Sequence, residues 1–455
     1  MKRMLLVAAV LAATTPLAAQ SPNWLDPYRP IAQRLITEAQ SNDFTWNRLA
    51  EVTDTFGPRL SGSDNLERAI DWAVETMKKD GFENVHKEPV MVPKWVRGEE
   101  SLDLVDPVRQ KLPLLGLGNS VGTPYGGFES EVIVVKTFDE MEKRAAEIKG
   151  KIVLFNGEWV NYGVTNQFRT AGPSRAAKVG AIAALVRSVG PMGLRTPHTG
   201  STVYTDDAPK IPAAAIPAED ASRFQRLADR GVKIRVRLSM QAHFEADSQS
   251  YNVVGELRGR ELPNEVVVVG GHFDSWDPGA GASDDAGGCI VTWDALRLMK
   301  KLGLQPRRTV RVVLFTNEEN GGRGGAGYRD AHTAELGNHV MLMESDGGIF
   351  DPEGFGFTGT EKAKATVAAI AGLLKSIGAD PIRDGGGGAD VGPMGTAAKA
   401  PLMSHLAEAN YFQIHHTPAD TIERITPKQA ANNAAAIAVM AYVIADLPWR
   451  LGTEK

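Results

Sequence analysis

The chain has 455 residues, and its 50 lysines and arginines face 55 aspartates and glutamates, for a formal net charge of −5. That mildly acidic balance, with no basic run, speaks against a nucleic-acid partner. The single cysteine, Cys289, excludes an intramolecular disulfide, and within the apolar stretch CIVTWDALRLM it reads as buried packing.

In chain order, residues 1–20 come first. Lys2 and Arg3 precede an apolar stretch at 4–13, and Ala18 and Ala19 give a small-residue exit. This reads as a cleaved secretory signal and sets the expected location as periplasmic or secreted. The apolar run is short for a membrane span, so no membrane insertion is expected after its removal. Residues 27–56 and 66–79 read as helices, the second capped near Ser63 and Asp64. FENVHKEPVMV then alternates as a strand. From 108 to 245 the chain is rich in Gly, Pro and short β-like runs, EVIVVK, GKIVLF, AALVR, AAAIP and KIRVRLSM, with one helix at AAKVGAIAAL. We read this as an inserted β-rich domain. It divides the main domain into an N-terminal part at 21–107 and a larger part at 246–455. In the latter, NVVGEL, EVVVVGGHF, TVRVVLFT and HVMLMES alternate with amphipathic helices, and further helices are expected at 361–377 and 427–445. Near-continuous apolar strands alternating with helices predict an α/β fold with a mixed or parallel sheet covered on both faces.

Five short stretches of the C-terminal part carry metal-binding side chains: GGHFDSWD (270–277), SDDAGG (283–288), TNEEN (316–320), MESDGG (343–348) and FQIHHTPADT (412–421). His272, the Glu318–Glu319 pair and Asp346 all follow predicted strands. Sites in open α/β sheets form at these carboxyl ends. Acids there are costly to desolvate unless a cation compensates. His272, Asp284, Glu319, Asp346 and His416 exceed the three protein ligands usual for one catalytic zinc. They suffice for two ions if one carboxylate is shared, and Asp284 is the natural bridge. Such pairs, about 3.5–4 Å apart, activate a water between them. Glu319 is assigned to metal and Glu318 to the water as general base. Asp274 is expected to orient the His272 imidazole, with Asp285 and Asp420 ordering neighbouring groups. His415 is read as the bland member of its pair. The donor set suits zinc, with manganese or cobalt as substitutes.

With HFDSWD, SDDAGG, EEN, ESDGG and HHTPADT in place, most of the mature chain resembles the family of co-catalytic zinc aminopeptidases and glutamate carboxypeptidases, in particular its carboxypeptidase Q-like branch. The resemblance implies an aminopeptidase-type mixed sheet flanked by helices, with residues 108–245 as an inserted protease-associated domain. It places one zinc on His272, Asp284 and Asp346 and the other on Asp284, Glu319 and His416. It further implies a cis Asp284–Asp285 peptide, dipeptides or short peptides with free termini as substrates, and a homodimer. Trp276 and Asp390 are the candidates for substrate contact, Asp390 toward a free amino terminus. The competing readings are an amidohydrolase or deacylase of N-acylated amino acids and a non-enzymatic peptide-binding receptor domain. The twelve-residue step from His272 to the shared acid and the position of the insertion disfavour the first, and the retained Glu318 disfavours the second.

Overall fold

The computed structural model describes residues 23–453, so the expected signal at 1–20 lies outside the described residues. The strands run in chain order as β1 (Glu83–Val92), β2 (Trp95–Val96), β3 (Glu100–Asp106), β4 (Gln110–Leu112), β5 (Leu115–Gly116), β6 (Phe128–Val135), β7 (Ile152–Phe155), β8 (Ala183–Arg187), β9 (Ala213–Ile216), β10 (Arg235–Met240), β11 (His243–Phe244), β12 (Ser248–Leu257), β13 (Leu262–His272), β14 (Arg308–Phe315), β15 (His339–Glu344), β16 (Gly354–Thr358), β17 (Ile382–Asp384) and β18 (Leu402–Leu406). They form two eight-stranded sheets, ordered β1-β12-β14-β13-β15-β18-β16-β17 and β4-β3-β10-β6-β7-β8-β9-β5, joined by the ribbon β2–β11.

In the first sheet β14, β13, β15 and β18 run parallel, while β1, β12 and β16 introduce antiparallel pairs. Every residue of β14 and β15 is buried, as expected of strands covered on both faces, including the polar Arg308, Arg311, His339 and Glu344 among their apolar residues. One face packs on the helices Gly287–Lys301 and Pro427–Asp446, whose residues fill the largest core. The second helix starts at a capping box formed by Thr426 and Gln429. The result is an α/β fold with a mixed sheet flanked by helices.

The second sheet holds four parallel strands, β6 to β9, around its own two cores. It takes in β3, which pairs with β10, so it begins at Glu100, ahead of residue 108. Other elements also differ from expectation. The stretch 27–56 divides into helices Arg29–Ala39 and Phe44–Phe56. The helix expected across AAKVGAIAAL is Gly172–Lys178, because Gly180 at φ +85° turns the chain into β8. The helix Ala218–Ala228, which buries Ala218, Ala221, Phe224 and Leu227 along one side, and the short strands β16, β17 and β18 lie outside the expected elements. Cys289 is buried, as expected. Among the described residues no helix is long and apolar enough to cross a membrane.

His339 opens β15, buried against the Tyr328 ring. Burial, with the nearby Arg311 charge, lowers its pKa from 6.5 to about 4. A histidine kept neutral in the fold gives its full stabilisation above the unfolded pKa of 6.5 and loses it as pH falls toward about 4. His339→Gln should therefore flatten the dependence of stability on pH across that window, measured by urea melts. An unchanged slope would assign the acid sensitivity to other groups.

Candidate dinuclear metal site

The three parallel strands β14, β13 and β15 end side by side, and each delivers part of the site just beyond its carboxyl end. His272 closes β13, Glu318 and Glu319 follow β14, and Asp346 follows β15. Asp284 comes from the turn before the helix Gly287–Lys301, through a cis Asp284–Asp285 peptide. His416 comes from the segment before the C-terminal helix.

Asp284 sits between two imidazoles. Its Oδ1 lies 3.3 Å from His272 Nε2, and its Oδ2 lies 3.1 Å from His416 Nε2. His272 Nε2 is also 3.5 Å from Asp346 Oδ1, and His416 Nε2 is 3.0 Å from Glu319 Oε2. His415 belongs here too. Its Nε2 is 3.5 Å from Asp284 Oδ2, its ring stacks on His416, and its Nδ1 has no hydrogen-bond partner. Two ligand clusters result, His272–Asp284–Asp346 and Asp284–His415–His416, sharing one carboxylate. His415, read from the sequence as the bland member of its pair, thus stands within reach of Asp284 beside His416, while Glu319 stays 3.0 Å from His416 Nε2.

The electrostatics follow from crowding acids in a dry place. Burial raises the Glu318 carboxyl well above its ordinary range, and Asp346 and Glu319 add repulsion that His272 only partly offsets. Burial and then Asp284 push Glu319 up to about 7. For Asp284 burial acts upward, but the flanking His272 and His416 outweigh it and hold its pKa well below the usual range. Burial would lower His272, yet Asp346 and Asp284 hold it well above the histidine range. Asp284 Oδ2 and Glu319 Oε1 are buried acceptors with no hydrogen-bond donor. Orphaned oxygens, mutual repulsion and a mixed imidazole–carboxylate donor set fit a pair of divalent cations.

Backbone groups fix the ligands. The His272 Nδ1 faces the backbone carbonyl of Asp274 at 2.9 Å, whereas the Asp274 carboxylate stands 3.8 Å away. The expectation that the Asp274 side chain orients the imidazole is thus corrected. That side chain instead accepts from the backbone N–H groups of Glu318 and Glu319 and from Ser61, aiming the glutamate pair. Asp285 accepts from His272 N and Gly288 N, and Asp420 from Ser283 N and Asp284 N. A Cβ at Gly288 would lie 1.7 Å from the Ser345 carbonyl, so only glycine permits this approach. Arg59 is fully buried and donates to the carbonyls of Phe273, Ala280 and Gly281, pinning the loop between His272 and Asp284.

A cleft of about 260 Å³ opens over these side chains, and its far wall comes from the second sheet through Tyr162, Arg169 and Ser201. Tyr411 and Phe412 line it beside Asp346. Neither expected substrate contact lines this cleft. Trp276 is buried behind His416, with ring centroids 5.9 Å apart, and wedges against Gly118. Asp390 is fully buried, and its N–H donates to Glu344. Tyr162, Arg169 and Ser201 lie 69 to 108 positions ahead of the first motif, and no local signal marks them.

The Peptidase family M28 model matches residues 252–441. The chain is 45% identical to carboxypeptidase Q of Homo sapiens over 414 residues, covering 91% of this chain and 88% of that protein. It superposes on a peptidase M28 precursor from Shewanella amazonensis SB2B with a TM-score of 0.90 at 32% identity, covering 94% and 98% of the two chains. An aminopeptidase from Aneurinibacillus sp. strain AM-1 shares the fold, with a TM-score of 0.66 at 22% identity over 94% and 98%. Two ligand clusters meeting at one aspartate are the centre of a dinuclear metallopeptidase of the aminopeptidase and carboxypeptidase Q type. Sustained over nine-tenths of its length by these relatives, the chain belongs to peptidase family M28.

Proposed function

We propose that the protein is an exopeptidase for dipeptides or short peptides, with His272, Asp284 and Asp346 holding one zinc and Asp284, Glu319 and His416 the other. The observation that carries this reading is the Asp284 carboxylate, whose two oxygens each face a different imidazole. When bound, the two cations supply Lewis acidity, polarising the scissile carbonyl and acidifying the attacking water. Glu318 takes the proton from that water and passes it to the leaving amine. Its part-exposed side chain on the cleft wall supports this role, and Asp274 holds its backbone in place.

The cleft volume suits a short peptide rather than a folded chain. Arg169 adds a reason to expect a free carboxyl group in the substrate: it places a positive charge on the cleft wall, held by Nη1 on the Thr199 carbonyl and Nη2 on Tyr162 Oη. The second sheet is read as the protease-associated-like insertion, supported by its parallel β6–β9 run and its place between β1 and β12. Residues 1–20 support export to the periplasm or beyond, the acidic balance speaks against nucleic acid, and the family resemblance supports a homodimer.

Glu318→Gln should leave the fold and metal content intact and lower kcat by about 10²-fold or more. Unchanged turnover would remove Glu318 as the base. A chelator should abolish activity, zinc should restore it, and metal analysis should find two ions per chain; one tight ion would defeat the shared-carboxylate reading. In zinc-supplemented assays, dipeptides should be cleaved and N-acylated amino acids spared. Cleavage of the acylated substrates alone would make the protein a deacylase.

A further inference from the structure

The second metal triad, Asp284, Glu319 and His416, touches the second sheet through one short segment, residues 199–201. Thr199 pairs with His416 at two points. Its N–H donates to the His416 carbonyl at 3.0 Å, and its own carbonyl faces His416 Nδ1 at 3.3 Å. His416 needs such support, because its φ of +61° is left-handed in a residue that carries a Cβ. Ser201 Oγ donates to the Glu319 carbonyl at 2.7 Å. The first triad differs. His272 Nδ1 faces Asp274, and Asp346 has Tyr411 Oη 3.5 Å away, both outside the second sheet.

Arg97 reaches this segment at Thr199. It lies between β2 and β3, where the chain enters the second sheet. Its guanidinium is 11% exposed and forms a bidentate pair with Asp277, Nε to Oδ2 at 2.6 Å and Nη2 to Oδ1 at 2.5 Å. Asp277 belongs to the loop that links His272 to Asp284. The same guanidinium donates to the Gly116 carbonyl at 2.5 Å and reaches Thr199 Oγ1 at 3.4 Å. Thr199 Oγ1 donates to that same carbonyl at 2.7 Å. Glu100 completes the group, 3.5 Å from Nη1. A planar fork of donors suits this task, because it binds a carboxylate and a carbonyl at once.

We propose that Arg97 is a positioning residue that ties the two sheets together through Asp277 and so selectively holds the second metal triad in its binding geometry. This rests on the reading in which Asp284, Glu319 and His416 hold one of two metals. Partners of metal-bound histidines typically govern affinity by about 10–100-fold. The effect should therefore appear in metal affinity at one site and not at its neighbour.

The test is zinc titration by calorimetry on the full chain after chelator treatment, in two backgrounds. His272→Ala reads the second triad, and His416→Ala reads the first. Arg97→Met should weaken zinc binding at least about tenfold in the His272→Ala background and change it less than about twofold in the other. Asp277→Asn, which leaves the backbone contacts of Arg97 in place, should show the same bias and keeps the test open if Arg97→Met fails to fold. Equal loss in both backgrounds, or no loss in either, would overturn the proposal. Failure of the His272→Ala protein itself to bind zinc would overturn the triad, and the clamp with it.

Discussion

Carboxylates cannot gather in a dry site without compensation, and the architecture around β13, β14 and β15 follows from that constraint. Asp274, Asp284, Asp285, Glu319 and Asp420 are all buried near the ends of these strands. Three of them are stabilised by backbone N–H groups: Asp274 by Glu318 and Glu319, Asp285 by His272 and Gly288, and Asp420 by Ser283 and Asp284. Hydrogen bonds to a charged group are worth about 1.5–3 kcal/mol each. The outer acids are therefore satisfied by the fold itself. Asp284 and Glu319 keep buried oxygens that no protein donor satisfies. Division of labour among chemically identical side chains is what separates ligand from scaffold.

Much of this was legible in the sequence, because strand periodicity and ligand chemistry are both local. Apolar runs ending in His272, in the Glu318–Glu319 pair and ahead of Asp346 announce both the sheet and the rim where the site forms. What failed to read was direction. The reading gave the Asp274 side chain to the imidazole, but a carbonyl of the same residue does that work and frees the carboxylate for another task. Trp276 and Asp390 sit near the site in sequence or in fold, yet packing turns them inward. Nor does the sequence show that His415 and His416 lie together, since adjacent residues on an extended chain diverge. The left-handed turn at His416 instead stacks the two rings.

The share of the second sheet was silent for a different reason. Thr199 acts through its backbone, and a backbone carbonyl leaves no mark on residue type. Arg169 and Tyr162 reach the cleft from helices that no metal motif flanks. A sequence displays ligands, but it displays poorly the groups that aim them.

The pairing of β1 with β12 has a consequence beyond the site. Val92 stands opposite Ser248 in that antiparallel register, so the two strands make a hairpin whose loop is an entire folded sheet. Closure entropy grows only logarithmically with loop length, and a folded loop with adjacent ends adds little to it. The first sheet can therefore accept such an insertion, or in evolutionary time exchange it, without shifting the register of any strand. What an exchange would remove is not the hairpin but the Thr199 carbonyl that faces His416.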